Sequence, residues 1–424
     1  MIETQRKFPD FEKPAMALPV KLVQDSSIEN TLAAVRAHLG VELAFVARWV
    51  EGRQVEITHV HADAGNLLHP GQRMPAEETY CFHVLRGSLP ELVQDTGAIP
   101  LAAALPPTEA IPAGCYLGAP LHLDDGTAWG MFCAIGHQPD QTLSQRDLNV
   151  VRAFAGLAAE RIGSLLREDE ELVATRRTIE SMLDGHAISV FQQPIYSLSS
   201  GKPVGIECLS RFPDLKKRGP DAWFDDAENV GLRIELEMAA VRVALETLAQ
   251  VPDHIFATIN ASPEAIVSGA LARELAAADA IGNRLVIEVT EHQKVEDFDA
   301  FREALDTIRD RVLIAIDDVG TGYAGLRHIV DLQPDLLKMD MSLTRDVDKD
   351  PVRRALTAAL AGFAREIDCV LVAEGVENAD EAETLKTMGV DFAQGYHFAR
   401  PLPVVAAQQH LMGTGFGKQG NPAP

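Results

Sequence analysis

Nowhere in its 424 residues does the chain carry the run of roughly 18 apolar side chains that a membrane-crossing helix needs. The opening MIETQRKFPDFEKPAM follows its charges with no apolar stretch, so it does not read as a secretory signal. Cysteine is scarce and scattered: Cys81, Cys115, Cys133, Cys208 and Cys369 form no CxxC pair. That spacing excludes a zinc ribbon or a disulfide framework and leaves five buried free thiols as the expectation. His59 and His61 share one face of a predicted strand but have no third ligand nearby. Basic charge is also in short supply. With 38 Lys and Arg against 62 Asp and Glu, the formal net charge is −24. Nonspecific binding to DNA or to an anionic membrane needs basic surface and is excluded. A small anionic ligand is not, because metal ions with one Arg and one Lys reverse the sign inside a pocket. These absences together predict a cytoplasmic protein with no DNA and no membrane partner.

What is present predicts two or three domains, since 46% hydrophobic residues in a chain of this length exceed one ordinary core. Residues 1–20 are polar and proline-punctuated, and read as a flexible N-terminus. Ser26 and Glu29 then give a capping box before Ile28, Leu32, Val35 and Leu39, with Gly40 as the stop. Two hairpins follow: ELAFVARWV with QVEITHVHA, and CYLGAPLHL with TAWGMFCAIG around Asp124-Asp125-Gly126. Ser144 and Asp147 open a long helix. This order predicts an α+β, sensor-sized domain over residues 21–165. Val151, Ala158, Leu165, Leu172 and Ile179 fall seven apart, one seam of a coiled coil, while the companion seam contains Asp169 and Arg176. Residues 166–183 are therefore expected to form a connecting helix, with a homodimer expected and both a tight parallel coiled coil and a passive tether left open.

From residue 184 the pattern changes. Short apolar runs (ISVFQQPI, PVGIECL, IFATIN, RLVIEVT, RVLIAID, LLKM, CVLVAE, DFAQGY) alternate with helical stretches such as the stripe Ile234, Met238, Val241, Leu245 and Leu248. Such alternation predicts an α/β fold, a closed (β/α)8-type barrel over residues 184–408, with a flexible tail over 409–424. Nearly every strand ends in a polar group unsuited to a core: Glu207, Asn260, Glu288, Asp317 with Asp318, Lys338, Glu374 and Gln394. In a parallel barrel all of them would converge on one mouth. Carboxylates crowded there need cations, and all-oxygen donors favour Mg²⁺ or Mn²⁺ over zinc. Adjacent Asp317 and Asp318 suit two ions, the arrangement that assists phosphoester hydrolysis. An enolase-like metal barrel is the rival chemistry.

The motifs themselves run Gln193-Pro194-Ile195, Glu207-Cys208-Leu209-Ser210-Arg211, Asn260-Ala261-Ser262, Glu288-Val289-Thr290-Glu291, Asp317-Asp318-Val319-Gly320-Thr321-Gly322-Tyr323, Lys338-Met339-Asp340, Glu374-Gly375-Val376-Glu377 and Gln394-Gly395-Tyr396. In order and spacing this segment resembles the EAL domains, the family of metal-dependent cyclic di-GMP phosphodiesterases. The N-terminal segment, with PGQRMPAEETYCFHVLRGSLPEL and LGAPLHLDDGTAWGMFCAI, is similar to GAF domains. The EAL resemblance implies hydrolysis of cyclic di-GMP to linear pGpG with two Mg²⁺ or Mn²⁺ ions per site. It implies Glu207, Asn260, Glu288 and Asp317 on the first ion, with Asp317 bridging to a second served by Asp318 and Glu374. It implies Lys338 positioning the water and Glu374 as general base, with Glu291 bracing the loop from Asp318 to Tyr323. Arg211 would contact a phosphate, and Gln193, Leu209 and Gln394 would lie near the dinucleotide. The GAF resemblance implies a small ligand of unknown identity and regulation of the barrel. Two positions depart from the EAL pattern: Cys208 replaces the name-giving alanine, and Val319 the usual phenylalanine after the aspartates. A catalytically silent cyclic di-GMP receptor is the alternative function. No GGDEF-like sequence is present, so cyclase activity is not expected.

Overall fold

The computed structural model describes residues 17–51, 53–63, 68–185, 187–213, 218–278, 284–290, 297–320 and 331–413. It divides into two compact units, Met1–Val173 and Ala174–Pro424. Within the described residues no helix is long and apolar enough to cross a membrane.

In the first unit the helix Ser26–Leu39 buries Ile28, Leu32, Val35 and Leu39, and Gly40 ends it at φ 68°. Its cap is Asp25 and not Ser26: the Asp25 carboxylate accepts the Ser27 amide at 2.9 Å, because Ser26 is already inside the helix. Six strands form an antiparallel sheet among the described residues: β1 (Leu43–Val50), β2 (Gln54–Ala62), β3 (Arg73–Pro75), β4 (Leu92–Val93), β5 (Cys115–His122) and β6 (Ala128–Gly136). Their order is β3-β2-β1-β6-β5-β4, so both expected hairpins pair, β1 with β2 and β5 with β6. Alternation along each strand supplies two cores. One joins Val46, Leu117 and Phe132 to the helices, and the other joins Phe45, Tyr116 and Met131 to Tyr80 and Phe82. All five cysteines are free and buried.

The expected connector at 166–183 lies within a single helix, Gln145–Gly185, which Ser144 opens by donating its amide and its hydroxyl to the Asp147 carboxylate. The coiled-coil expectation needs correction in its first half. Val151, Ala158 and Leu165 of the seam, with Ala155 and Ile162, are consumed in the first unit's own core. The boundary between the units falls within this helix, at 173/174.

The second unit is a closed barrel. Its strands are β7 (Ser189–Ser197), β8 (Pro203–Arg211), β9 (Phe256–Asn260), β10 (Leu285–Thr290), β11 (Leu313–Val319), β12 (Leu336–Met339), β13 (Val370–Ala373) and β14 (Phe392–Ala393). They are ordered consecutively, and a β14–β7 pairing shuts the ring, with β15 (Leu402–Pro403) added beside β7. The uniformly parallel barrel fails at the first strand: β7 pairs antiparallel with both β8 and β14. The reason is local. Only Leu198–Lys202 join β7 to β8, a hairpin connection too short for a parallel crossover. Gln193 therefore sits within its strand, opposite Glu207. The final helix, Val404–Gly413, also runs past residue 409, where the tail was expected to begin.

Candidate active site

Lys338 lies in the short strand β12 and is 1% exposed, which for an ammonium demands nearby anions. Three strands and the residue after β13 provide them. Its Nζ stands 2.7 Å from Glu374 Oε1, 2.8 Å from Glu288 Oε2, and 3.3 Å from both Glu207 Oε1 and Asp317 Oδ1. Burial alone would pull the ammonium down, but the four carboxylates outweigh it and hold Lys338 well above the usual lysine range. Burial pushes Glu288 well above the usual carboxylate range, against the pull of Lys338 and with Glu207 and Asp317 adding to the rise. The same causes push Glu374 up to about 8. Glu207 goes the other way. Its burial is overcome by Lys338 and by hydrogen bonds from Gln394 and Asn260, which leave it below its ordinary value.

Regular alternation would send Asp317 and Asp318 to opposite faces of β11. A register shift between Ile316 and Val319 and a left-handed φ of 60° at Asp318 break that alternation. Oxygens of Asp317, Asp318 and Glu374 consequently lie within 4.8 Å of one another. Asn260 ends β9 opposite Glu288 in register, and its side chain bonds Glu207. Gln394 Nε2 bonds Gln193 Oε1 at 3.0 Å and the Glu207 carboxylate, and Gln193 Nε2 donates to the Ala399 carbonyl at 3.0 Å. The two glutamines thus form a bonded pair at the Glu207 carboxylate. Arg211 is half-buried, with its guanidinium over the Phe191 ring at 5.1 Å, and Leu209 shares its cleft. Glu291 and Thr321-Gly322-Tyr323 lie outside the described residues. Cys208 faces the hydrophobic core, as expected of the residue after Glu207 on a strand, and burial raises its thiol to about 12.

The donor set fits a hard divalent cation. It is all oxygen, and among the described residues Glu288 Oε1 is buried with no hydrogen-bond partner, an acceptor that a cation would satisfy. Beside it opens a cleft of about 320 Å³ lined by Arg211, Phe224, Arg233, Glu237, Thr290 and Asp317. Phe224, Arg233, Glu237 and Thr290 were not foreseen. Only Glu237 carried a readable signal, a charge set inside the apolar stripe between Ile234 and Met238.

Comparison with known proteins agrees with this geometry. The protein y4lL of Sinorhizobium fredii is 30% identical over 282 residues, 64% of this chain and 34% of that one. The Escherichia coli protein named cyclic di-GMP phosphodiesterase PdeL is 28% identical over 242 residues, 54% of this chain and 67% of its own length. This chain therefore spans only about a third of y4lL and two thirds of PdeL. An EAL domain protein from Listeria monocytogenes has the same fold, with a TM-score of 0.50 at 24% identity over 54% of this chain and 94% of that one. The GAF domain family matches residues 25–162 and the EAL domain family residues 176–401. With more than half of its residues inside that second match, the chain belongs to the EAL domain family and carries a GAF domain ahead of it.

Proposed function

We propose that the chain hydrolyses cyclic di-GMP to linear pGpG, using two divalent ions, Mg²⁺ or Mn²⁺, at the barrel mouth. The observation that carries this reading is the gathering of Glu207, Glu288, Asp317 and Glu374 around buried Lys338, with Asp318 close by and one carboxylate oxygen unsatisfied. The relatives' cyclic di-GMP names support the substrate class. In this reading Glu207, Asn260, Glu288 and Asp317 hold one ion, and Asp317, Asp318 and Glu374 the other. Bound there, the ions supply Lewis acidity to the attacking and leaving oxygens of the phosphodiester. Lys338 orients the attacking water by donating to it, and Glu374 accepts the water's proton. The water oxygen bonds to phosphorus, the 3′ oxygen–phosphorus bond breaks, and the 3′ oxygen leaves as an alkoxide that takes a proton from bulk water, the proton held by Glu374 returning to solvent. Arg211 pairs with a phosphate oxygen, while Leu209, Gln193 and Gln394 flank the dinucleotide. Glu291 braces the loop after Asp318.

The test is chromatographic: the full chain with cyclic di-GMP and Mn²⁺ or Mg²⁺ yields pGpG, and exhaustive chelation stops it. Tight binding with no product under the same conditions would establish the receptor reading instead.

We infer further that the GAF unit binds a small ligand, that it sets the barrel's rate through the helix Gln145–Gly185, and that the chain acts as a homodimer. Support comes from how that helix is used. Its first half is built into the GAF core, while further along Arg176 donates to the Val230 carbonyl of the second unit and Ile179 is fully buried. An apolar cavity in the GAF unit, lined in part by Tyr80 and Cys81, measures about 20 Å³. It would have to widen to admit anything larger than water.

A further inference from the structure

Glu237 lies on the inward face of the helix Arg233–Leu248, among Leu236, Met238, Ala240 and Val241, and is 6% exposed. A carboxylate in such company is costly to bury, and hydrogen bonding to each oxygen offsets that cost. Both bonds come from one residue. The Ser262 amide donates to Oε1 at 2.5 Å and the Ser262 hydroxyl to Oε2 at 2.7 Å. Ser262 Oγ in turn accepts the Ala265 amide at 3.2 Å, capping the short helix Pro263–Val267. One residue earlier, the Ala261 amide donates to the Glu288 carbonyl at 3.0 Å. The two residues after Asn260 are thereby pinned to different elements, Ala261 to β10 and Ser262 to the helix bearing Glu237. Asn260 itself reaches the Glu207 carboxylate.

We propose that Glu237 is a positioning residue for the site, clamping the turn Asn260-Ala261-Ser262 so that the Asn260 amide is held toward Glu207 as a cation ligand. This rests on the reading that Asn260 holds one of the divalent ions. A simple tie between two helices would give the same hydrogen bonds but would stabilise the fold without touching the site. Ser262 alone suffices to cap its helix, so the buried Glu237 carboxylate on the same residue is unnecessary for capping. Glu237 also lines the cleft next to Asn260, where a displaced turn would be felt.

The test uses the full chain and Mn²⁺, with affinity measured by calorimetry, thermal midpoint measured without metal, and hydrogen exchange of the Asn260–Ser262 segment measured without metal. Glu237→Ala is expected to weaken Mn²⁺ binding about tenfold, in the range found when an outer partner of a metal ligand is lost, and to speed exchange at the turn. Glu237→Gln keeps one acceptor for the Ser262 amide and is expected to fall between Glu237→Ala and the parent. Adding Glu237→Ala to Asn260→Ala is expected to cost no further affinity, since the two act through one ligand. A lowered midpoint with unchanged Mn²⁺ affinity in both Glu237 variants, alongside weakened binding in Asn260→Ala, overturns the proposal alone. Unchanged affinity in Asn260→Ala overturns the metal reading of Asn260 and the proposal with it. Should Glu237→Ala fail to fold, the Mn²⁺ affinity of Glu237→Gln decides.

Discussion

Lys338 Nζ and Glu288 Oε2 stand 2.8 Å apart inside the barrel, the lysine side chain 1% exposed and the glutamate side chain 0%. Removing one partner of such a pair strands the other, at a cost of about 3–5 kcal/mol. Lys338→Met should therefore lower the thermal midpoint in chelator, and added Mn²⁺ should restore more stability than it gives the parent, because cations replace the lost charge. Hydrolysis of cyclic di-GMP should fall at least about 100-fold. A Lys338→Met protein as stable as its parent in chelator would show that the carboxylates do not depend on the lysine.

Glu374, pushed up to about 8, links proton to metal. Without metal its folded carboxyl keeps a proton that the unfolded chain has released, so this contribution to stability is fully present below about pH 4.5 and is lost as pH rises through about 8. Binding Mn²⁺ requires the carboxylate. Calorimetry in buffers of different ionisation enthalpy should detect more proton release on Mn²⁺ binding near about pH 7 than near about pH 9, the difference being the share of Glu374. In Glu374→Gln that release should shrink to what Glu288 contributes; if it persists unchanged, Glu374 does not carry it.

Glu207→Ala should abolish hydrolysis, since it removes an oxygen donor and also the partner of Lys338, Gln394 and Asn260. Glu291→Ala should impair metal affinity, substrate affinity and turnover together if it braces the loop. Parent-like values for Glu291→Ala in all three measurements would remove it from the site.

Gly395 follows Gln394 with φ 156°, and a Cβ there would stand 2.2 Å from the Val376 carbonyl oxygen and 2.3 Å from its amide nitrogen. Backbone cannot yield as a flexible side chain does, so Gly395→Ala should destabilise by about 1–3 kcal/mol and displace the Gln394 amide from Glu207. Gly362→Ala is the control: it lies in the helix Pro351–Glu366 with open space at its Cβ position and should stabilise by about 0.5–1 kcal/mol. Equal thermal midpoints for the two variants would contradict the close approach at Gly395.

Inserting four residues after Asp169 rotates one end of the helix Gln145–Gly185 against the other. If the helix carries a signal, the inserted chain should differ from the parent in basal turnover and in its response to ligands of the GAF unit. Identical rates for the parent, the insertion and a chain beginning near Thr178 would make the helix a passive tether.

Much of this protein is legible before folding. The strands of the barrel announce themselves as apolar runs, and Glu207, Asn260, Glu288, Asp317 and Lys338 stand out because a charged or amide group at the end of such a run has no place in a core. Order and spacing of those residues also determine the family. Periodicity nevertheless misread the seam Val151, Ala158 and Leu165, because burial inside one chain and burial between two chains demand the same apolar repeat. Tertiary structure alone decided three matters. A bulge brought Asp317 and Asp318 to the same side, Lys338 came to lie among four carboxylates from separate parts of the barrel, and Glu237 met Ser262 across 25 residues. A pattern along the chain reports which residues avoid water. It does not report which distant polar groups meet, because that depends on closure of the barrel and on the low-dielectric interior in which each buried charge must find its partner.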